Sequence, residues 1–437
     1  MNFSDIPHLY DCFLKTGQKI STDTRKDVRG TLFFCLSGAR FNGNLYAQLA
    51  LDNGASFVVT NSSNINDERI ILFENPNQTL IELAHFHTEQ IPTKLIAIGG
   101  SNGKTTTKEW VQSVLGTTYK TRSTPGNFNN DIGVPLTLLS FTPDTEYGIV
   151  ELGTNHPGEM KVLCAMFKAD SALITNIGKE HLEGFSDLES VAQEESELYL
   201  MALRDEAMAF VNFDDPWLNN MSKRLKQLRT YSLMDRSCSV FIDVSVEMPY
   251  LKSSLYVDAE PNGILHAQLG GKFNAYNLAA AVSVGLHYGV SVENIAKGIA
   301  AYTPNMNRSQ WIMSKNGTQI LLDAYNANPS SMESGIRSFA TLEGKKTLLL
   351  GDMLELGTHS SYEHLAIFQL TQELGYTDVY FVGDEFKKAL PSYPFVFDTA
   401  SSLMAWLDTH ALDSQYVYIK GSRGIAMEQC LDYFDLS

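Results

Sequence analysis

Short apolar runs alternate with longer stretches of helical periodicity along most of the chain: LIAI (95–98), YGIVEL (147–152), SALITNI (171–177), TLLLGD (347–352), VYFVGD (379–384) and YVYIKG (416–421). Continuous apolar runs of this length, separated by amphipathic helices, predict strands buried on both faces of parallel sheets. Several end in Gly, Asp, Glu or Asn, and the ligand crevice of an open parallel sheet lies beyond its strands' carboxyl ends, so those residues become candidates for chemistry. One boundary is predicted near Gln90–Pro92, ahead of LIAI. A second falls near Thr303–Pro304, after a helix-rich stretch from Tyr276 to Ala301. The units are then 1–90, 91–304 and 305–437, and no internal repeat stands out.

The 437 residues agree with about three domains at roughly 100–200 residues each. A net charge of −17 disfavours general binding to nucleic acid or anionic lipid. The five cysteines never pair as Cys-x-x-Cys, which points to a reducing compartment rather than a disulfide or zinc framework. The N-terminus lacks a basic-then-apolar leader and no run approaches a bilayer span, so a cytoplasmic location is expected.

The strongest chemical signal is GGSNGKTTTK (99–108), directly after a predicted strand and before a helix with Trp110, Val111, Val114 and Leu115 on one face. This is a phosphate cradle. Backbone N–H groups of Gly100, Ser101, Asn102, Gly103, Lys104, Thr105 and Thr106 meet the phosphates, Lys104 adds a point charge, and the Thr105 hydroxyl can hold Mg²⁺. The residue five before Gly103 is Ile98 rather than Gly, so the loop is a shortened form. Alone, the motif indicates a nucleoside triphosphate and leaves the acceptor open.

These blocks, with STDTRKDVRGTLFFCLSGARFNG (21–43), PGNFNNDIGVPLTLL (125–139), ELGTNHPGEM (151–160), TNIGKEHLEGF (175–185), VNFDDP (211–216), DAYNANPSSM (323–332), LGDMLELG (350–357) and KGSRGIAME (420–428), resemble the Mur ligase family of ATP-dependent amide-forming enzymes in peptidoglycan precursor synthesis. The resemblance implies a three-domain α/β architecture: an N-terminal α/β sugar-nucleotide domain, a central P-loop ATPase domain with a mostly parallel sheet, and a Rossmann-like C-terminal domain. It lies nearest those members that join D-alanyl-D-alanine to UDP-N-acetylmuramoyl-tripeptide, using ATP and Mg²⁺ as cofactors, commonly as monomers. Ser330 stands where the members adding the third residue carry an arginine after Asn-Pro.

By the same resemblance Thr105, Glu151 and His181 hold Mg²⁺, Asn130 sits beside the transferring phosphoryl group, Asn274, Asn277, Arg308 and Asp323 contact ATP, Thr22, Asp23, Thr24, Arg25, Ser37, Gly38 and Arg40 meet the sugar nucleotide, and Asn326, Asn328 and Arg423 meet the dipeptide. Magnesium prefers carboxylate and phosphate oxygen to imidazole, so only the resemblance brings in His181. The main departure is at Glu195, where the family usually carries a lysine modified by CO₂ to a carbamate. Along the predicted helix from Ser186, at about 100° per residue, Leu188, Val191, Ala192, Leu198, Tyr199 and Ala202 share one face with Glu195 at its centre, whereas Glu194 and Glu197 point away. Ser186 with Glu189 reads as the capping box that starts this helix. Glu195 is then expected to supply directly the carboxylate that others make by carbamylation, as a metal ligand, with activity independent of bicarbonate. Two other readings compete. One is a folate polyglutamylating ligase, which shares the ATPase pattern but generally begins close to its phosphate loop. The other is a catalytically silent nucleotide-binding protein, motivated by the lost lysine.

Overall fold

The computed structural model describes residues 5–39, 41–304 and 307–436. Among these, three larger sheets follow one another along the chain. Ile20–Ser21, Leu32–Phe34, Phe57–Thr60 and Ile70–Leu72 form a parallel four-stranded sheet in that order. The second sheet has nine strands in the spatial order Glu260–His266, Lys252–Val257, Val240–Val246, Leu228–Ser232, Met208–Asn212, Ser171–Ile174, Lys94–Gly99, Tyr147–Glu151 and Thr121–Ser123. The third runs Gln310–Met313, Gln319–Asp323, Tyr416–Lys420, Lys346–Gly351, Asp378–Val382 and Val396–Phe397, parallel except for its first strand.

All six apolar runs picked from the sequence are strands of the two larger sheets, and all six pair in parallel. The antiparallel end of the middle sheet, Val240–His266, was not anticipated. Its strands bury only alternate side chains, such as Val240 and Ile242, so they lack the continuous apolar signature of the inner strands.

The strand Lys94–Gly99 shows why the middle sheet is buried on both faces. Its side chains alternate: Ile96 and Ile98 enter a core with Trp110, Val111, Val114 and Leu278, while Leu95 and Ala97 enter another with Val134, Leu138, Met160 and Leu198. That second core continues without a break into Phe13, Phe34, Leu80 and Leu83 of the N-terminal unit. His87, on the helix Pro76–Gln90, pins this junction through Nε2 to the Phe141 carbonyl at 2.9 Å. Burial of the His87 ring keeps its pKa below the usual value, which suits a neutral imidazole at a packed junction.

The helix carrying Glu195 spans Leu188–Asp205, and two expectations about it are corrected. Its N-cap is Asp187, whose carboxylate accepts from Ser190 N–H while the Ser190 hydroxyl faces back to Asp187. The capping box is therefore one residue later than Ser186 and Glu189. Glu194 does not point away: it is buried and accepts the N–H groups of Gly158 (2.8 Å) and Met160 (2.6 Å) at the start of the helix Glu159–Cys164. Its carboxylate satisfies helix-end donors that would otherwise be orphaned. All five cysteines are free and buried. Among the described residues no helix is long and apolar enough to cross a membrane.

Candidate active site

The carboxyl ends of the central strands of the middle sheet face those of Gln319–Asp323 and Tyr416–Lys420 in the third sheet, and between them lies a cavity of about 1190 Å³. Ser101 to Thr106 line its floor. The loop is possible because Gly100 (φ +112°) and Gly103 (φ +81°) adopt backbone conformations that cost other residues dearly. A Cβ on Gly103 would stand 2.4 Å from Asn277 Oδ1, so the loop also needs glycine to pass this side chain.

Lys104 opens the helix Lys104–Gly116 and folds back so that its Nζ donates to the Gly100 carbonyl, with Glu180 Oε2 at 3.5 Å. Beside it, Glu151 Oε1 accepts from Thr105 Oγ1 (3.1 Å) and Asn129 Nδ2 (3.0 Å), while Glu151 Oε2 is buried with no hydrogen-bond partner, 3.6 Å from Lys108 Nζ. A hydroxyl and an underused carboxylate oxygen on the phosphate side of a P-loop are hard oxygen donors suited to Mg²⁺, which fills its remaining positions with phosphate and water. Thr105 and Glu151 therefore fit the ion. Among the described residues no three His, Cys, Asp or Glu side chains are grouped closely enough to hold one by themselves.

His181 and Glu195, placed with that pair by the resemblance, do not form with Glu151 a cluster close enough to hold an ion. His181 lines the cavity, with Nδ1 2.5 Å from Glu355 Oε2 of the third-sheet unit. Glu195 lies fully buried beneath the loop, off the cavity wall, where its Oε2 accepts the Gly100 N–H at 2.7 Å. A carbamylated lysine would carry its carboxyl further from the backbone by the Cδ–Cε–Nζ extension, which a glutamate lacks. Burial drives the Glu195 carboxyl up to about 8, opposed by the nearby Lys104 charge. Gly100 is likewise corrected as a phosphate contact: its N–H points down to Glu195, its carbonyl is taken by Lys104, and it does not line the cavity.

Asn130 lines the cavity, and its side-chain oxygen accepts the N–H of Gly133, the first residue of the helix Gly133–Leu139, at 2.9 Å. Asn274 and Asn277 lie together on the wall, Asn277 Nδ2 donating to Asn274 Oδ1 at 3.2 Å. Across the cavity Asp323 Oδ2 accepts from Lys420 Nζ at 2.6 Å, and its Oδ1 accepts the Ser309 N–H. The Arg308 guanidinium stacks 3.6 Å over Tyr325, and Arg423 approaches the same ring at 5.6 Å from an exposed position just off the cavity. Asn326 lines the wall, and Asn328 caps the helix Pro329–Ala340 while donating through Nδ2 to Asn102 Oδ1 at 2.9 Å, joining the two sheets' loops.

Among the described residues, the N-terminal candidates do not line this cavity. Asp23 grips Arg25 through both carboxylate oxygens, and that guanidinium holds its carboxyl down at about 2. Thr22 and Thr24 are half-buried beside them, and Ser37 and Gly38 form a small hairpin with Phe41–Asn42. Arg40 lies outside the described residues.

Sequence reasoning missed Lys108, Asn129, Glu180, Tyr325, Lys420 and Glu355. Lys108 is fully buried and donates to the Thr124 carbonyl at 2.6 Å. Its signal was its place one helical turn after Lys104. Lys420 ends a buried strand, as the strand-end rule would have flagged.

A strand, a glycine loop and a helix N-terminus under a cavity shared by two parallel sheets define a nucleoside-triphosphate-using α/β protein. Residues 98–285 match the model described as Mur ligase middle domain, and 307–423 match Mur ligase, glutamate ligase domain. The UDP-N-acetylmuramoyl-tripeptide--D-alanyl-D-alanine ligase of Bacillus subtilis (strain 168) is 34% identical over 343 residues, covering 77% of this chain and 74% of that protein. The Escherichia coli (strain K12) ligase of the same name is 30% identical over 426 residues, covering 94% and 92%. A crystal structure of MurF from Acinetobacter baumannii superposes with a TM-score of 0.86 at 29% identity, covering 95% of this chain and 92% of that one. The chain belongs to the Mur ligase family.

Proposed function

We propose that this chain joins D-alanyl-D-alanine to UDP-N-acetylmuramoyl-tripeptide at the expense of ATP. The observation that carries this reading is the cavity itself, where a P-loop on one parallel sheet faces a second sheet that adds Arg308, Asp323, Asn326 and Lys420. The near-full-length similarity to ligases of that name supports the same acceptor and donor.

A carboxylate is a poor electrophile, so the reaction must activate it. The tripeptide's terminal carboxylate oxygen bonds to the γ-phosphorus as the bond to ADP breaks. The dipeptide amine then bonds to the acyl carbon as the C–O bond to phosphate breaks, and the amine loses a proton. Lys104 leaves the Gly100 carbonyl to meet the phosphates, spreading positive charge over the phosphoryl oxygens, with the N–H groups of the helix start beneath them. Thr105 and Glu151 would hold Mg²⁺, which lowers the repulsion between two anionic reactants. Asn130 sits beside the transferred group, and Asn274 and Asn277 hold the loop's far side. Asp323 accepts from the ribose hydroxyls, and the Arg308 fork takes phosphate oxygen.

The N-terminal unit, about residues 1–90, receives the sugar nucleotide through Thr22 to Arg25 and the Ser37–Gly38 hairpin; the 91–304 unit binds ATP. The 305–437 unit takes the dipeptide through Asn326, Asn328 and Arg423. Closing these units around ATP orients the reactants and keeps water from the acyl phosphate. Glu195 acts from below, holding the Gly100 amide and so the loop's shape, and with no lysine at that place the reaction needs no bicarbonate. The chain works as a monomer in the cytoplasm, consistent with its five unpaired thiols.

The test is phosphate release with ATP, Mg²⁺, D-alanyl-D-alanine and UDP-muramoyl-tripeptides carrying either lysine or diaminopimelate as third residue. Release that requires both peptide substrates is expected with one tripeptide. Absence of release with either overturns the reading.

A further inference from the structure

Lys108 follows Lys104 by one turn on the helix Lys104–Gly116, yet its side chain is wholly buried, lies off the cavity wall and takes no part in the steps above. A lysine taken out of water costs free energy unless its donors find oxygens. Its Nζ donates to the Thr124 carbonyl at 2.6 Å and to the Gly126 carbonyl at 3.2 Å, with Glu109 Oε1 and Glu151 Oε2 as ion-pair partners at 3.1 Å and 3.6 Å. Two of the three ammonium donors therefore go to the main chain of one short segment.

That segment begins the irregular stretch between the strand Thr121–Ser123 and the helix Gly133–Leu139, and Asn127, Asn129, Asn130 and Asp131 of this stretch line the cavity. The middle sheet holds it at two places. Thr124 N–H donates to the Ile149 carbonyl and Thr124 Oγ1 accepts the Glu151 N–H, both at 2.9 Å. Further along, the Asn129 carbonyl accepts the Gly153 N–H at 2.9 Å and Asn129 Nδ2 donates to Glu151 Oε1 at 3.0 Å. Between these places the turn closes on itself, with Gly126 at φ +55°, Phe128 N–H donating to the Pro125 carbonyl at 3.2 Å and Asn129 N–H to the Asn127 carbonyl at 2.8 Å. Among the described residues, the hydrogen bond that ties 125–128 to another element is the one from Lys108 to Gly126.

We propose that Lys108 is a positioning residue: it fixes the Thr124–Gly126 main chain against the helix that Lys104 begins, and so sets where Asn129 and Asn130 stand in the cavity wall. Phosphate loop and wall thereby share one helix, Lys104 serving the first and Lys108 the second. The part of Asn130 in phosphoryl transfer rests on the ligase reading; the fixing of the turn does not.

The test compares full-length wild type with Lys108→Met, which keeps the buried stem and removes its donors, by backbone hydrogen exchange read by mass spectrometry and by phosphate release. Peptides covering 125–131 are expected to exchange about tenfold faster in the variant, the effect of losing one or two hydrogen bonds, while those covering the strand Lys94–Gly99 stay within about twofold. The kcat is expected to fall by about tenfold or more, as misplacing a group beside the reacting atoms does, with the KM for ATP within about twofold. Unchanged exchange at 125–131 overturns the proposal, and so does an equal rise in exchange across the whole middle unit, which marks a merely structural lysine. A rise in the KM for ATP with kcat unchanged also overturns it. Should Lys108→Met not fold, Lys108→Gln, whose donor sits one atom short of the carbonyls, is measured in its place: faster exchange confined to 125–131 supports the proposal and wild-type exchange there overturns it. If wild type releases no phosphate with its substrates, the ligase reading fails, while the exchange at 125–131 still decides the role of Lys108.

Discussion

Replacing Glu195 with glutamine separates the charge beneath the phosphate loop from its shape. The amide oxygen of the substituted side chain can still accept the Gly100 N–H that Glu195 Oε2 takes at 2.7 Å. The other carboxylate oxygen, Oε1, has no partner in the wild type, so the amide nitrogen that replaces it is no worse placed than a protonated hydroxyl would be. What changes is the titration. Burial raises the Glu195 carboxyl from 4.5 to about 8. The folded protein thus keeps a proton that the unfolded chain gives up near its ordinary value, and stability falls as pH rises between those values. The contribution is full below pH 4.5 and lost on the way to about 8.

A single proton changes stability by about 1.4 kcal/mol per pH unit, so pH 5 to 8 spans at most about 4 kcal/mol. Lys104 and Glu180 share the same buried space and take part of the titration, leaving about 2 kcal/mol. For a unit of about 200 residues this is roughly 4–8 °C in Tm. Thermal unfolding followed by circular dichroism in EDTA should therefore give nearly equal Tm values for wild type and Glu195→Gln at pH 5. The variant should be the more stable at pH 8. Parallel curves across that range, or a less stable variant at pH 8, would refute the argument that burial keeps this carboxyl protonated.

Lys104→Met should reduce phosphate release by about a hundredfold or more, the usual cost of removing a preorganised charge from a transition state, while the circular dichroism spectrum stays native. Gly103→Ala puts a Cβ 2.4 Å from Asn277 Oδ1 at φ +81°, so about 2–4 kcal/mol of destabilisation is expected by denaturant titration, with weaker ADP binding by calorimetry. Turnover in buffers stripped of bicarbonate should equal that in air-equilibrated ones; a drop restored by added bicarbonate would point to a carbamylated lysine elsewhere. Arg423→Ala should raise the KM for D-alanyl-D-alanine by about tenfold through loss of a charged carboxylate contact, leaving the KM for ATP unchanged.

Sequence legibility followed burial. Residues 95–98, 147–152 and 171–177 announced themselves because strands buried on both faces must be apolar throughout, and the phosphate loop because only glycine tolerates its turns. The half-buried hairpins of Val240–His266 carried the weaker period-of-two signal and were passed over. At the site, Lys104, Thr105 and Glu151 were readable because each sits at a fixed step from a strand end or helix start. Glu195 was readable only in part. Helical periodicity puts it on the inward face, but whether an inward carboxylate meets the cavity or the underside of a loop depends on side-chain length and on how closely the Gly99–Gly100 backbone passes over the helix. Glu194 shows the same limit from the other side: a wheel that counts only apolar partners sends it to solvent, whereas in the fold it accepts the N–H groups of a neighbouring helix start. Glu355 was out of reach altogether, because its partner His181 lies in a different unit of the chain. Residues whose role depends on contact between two different sheets leave no periodic trace in either sheet's sequence, and the third-sheet unit supplies about a third of the residues that line this cavity.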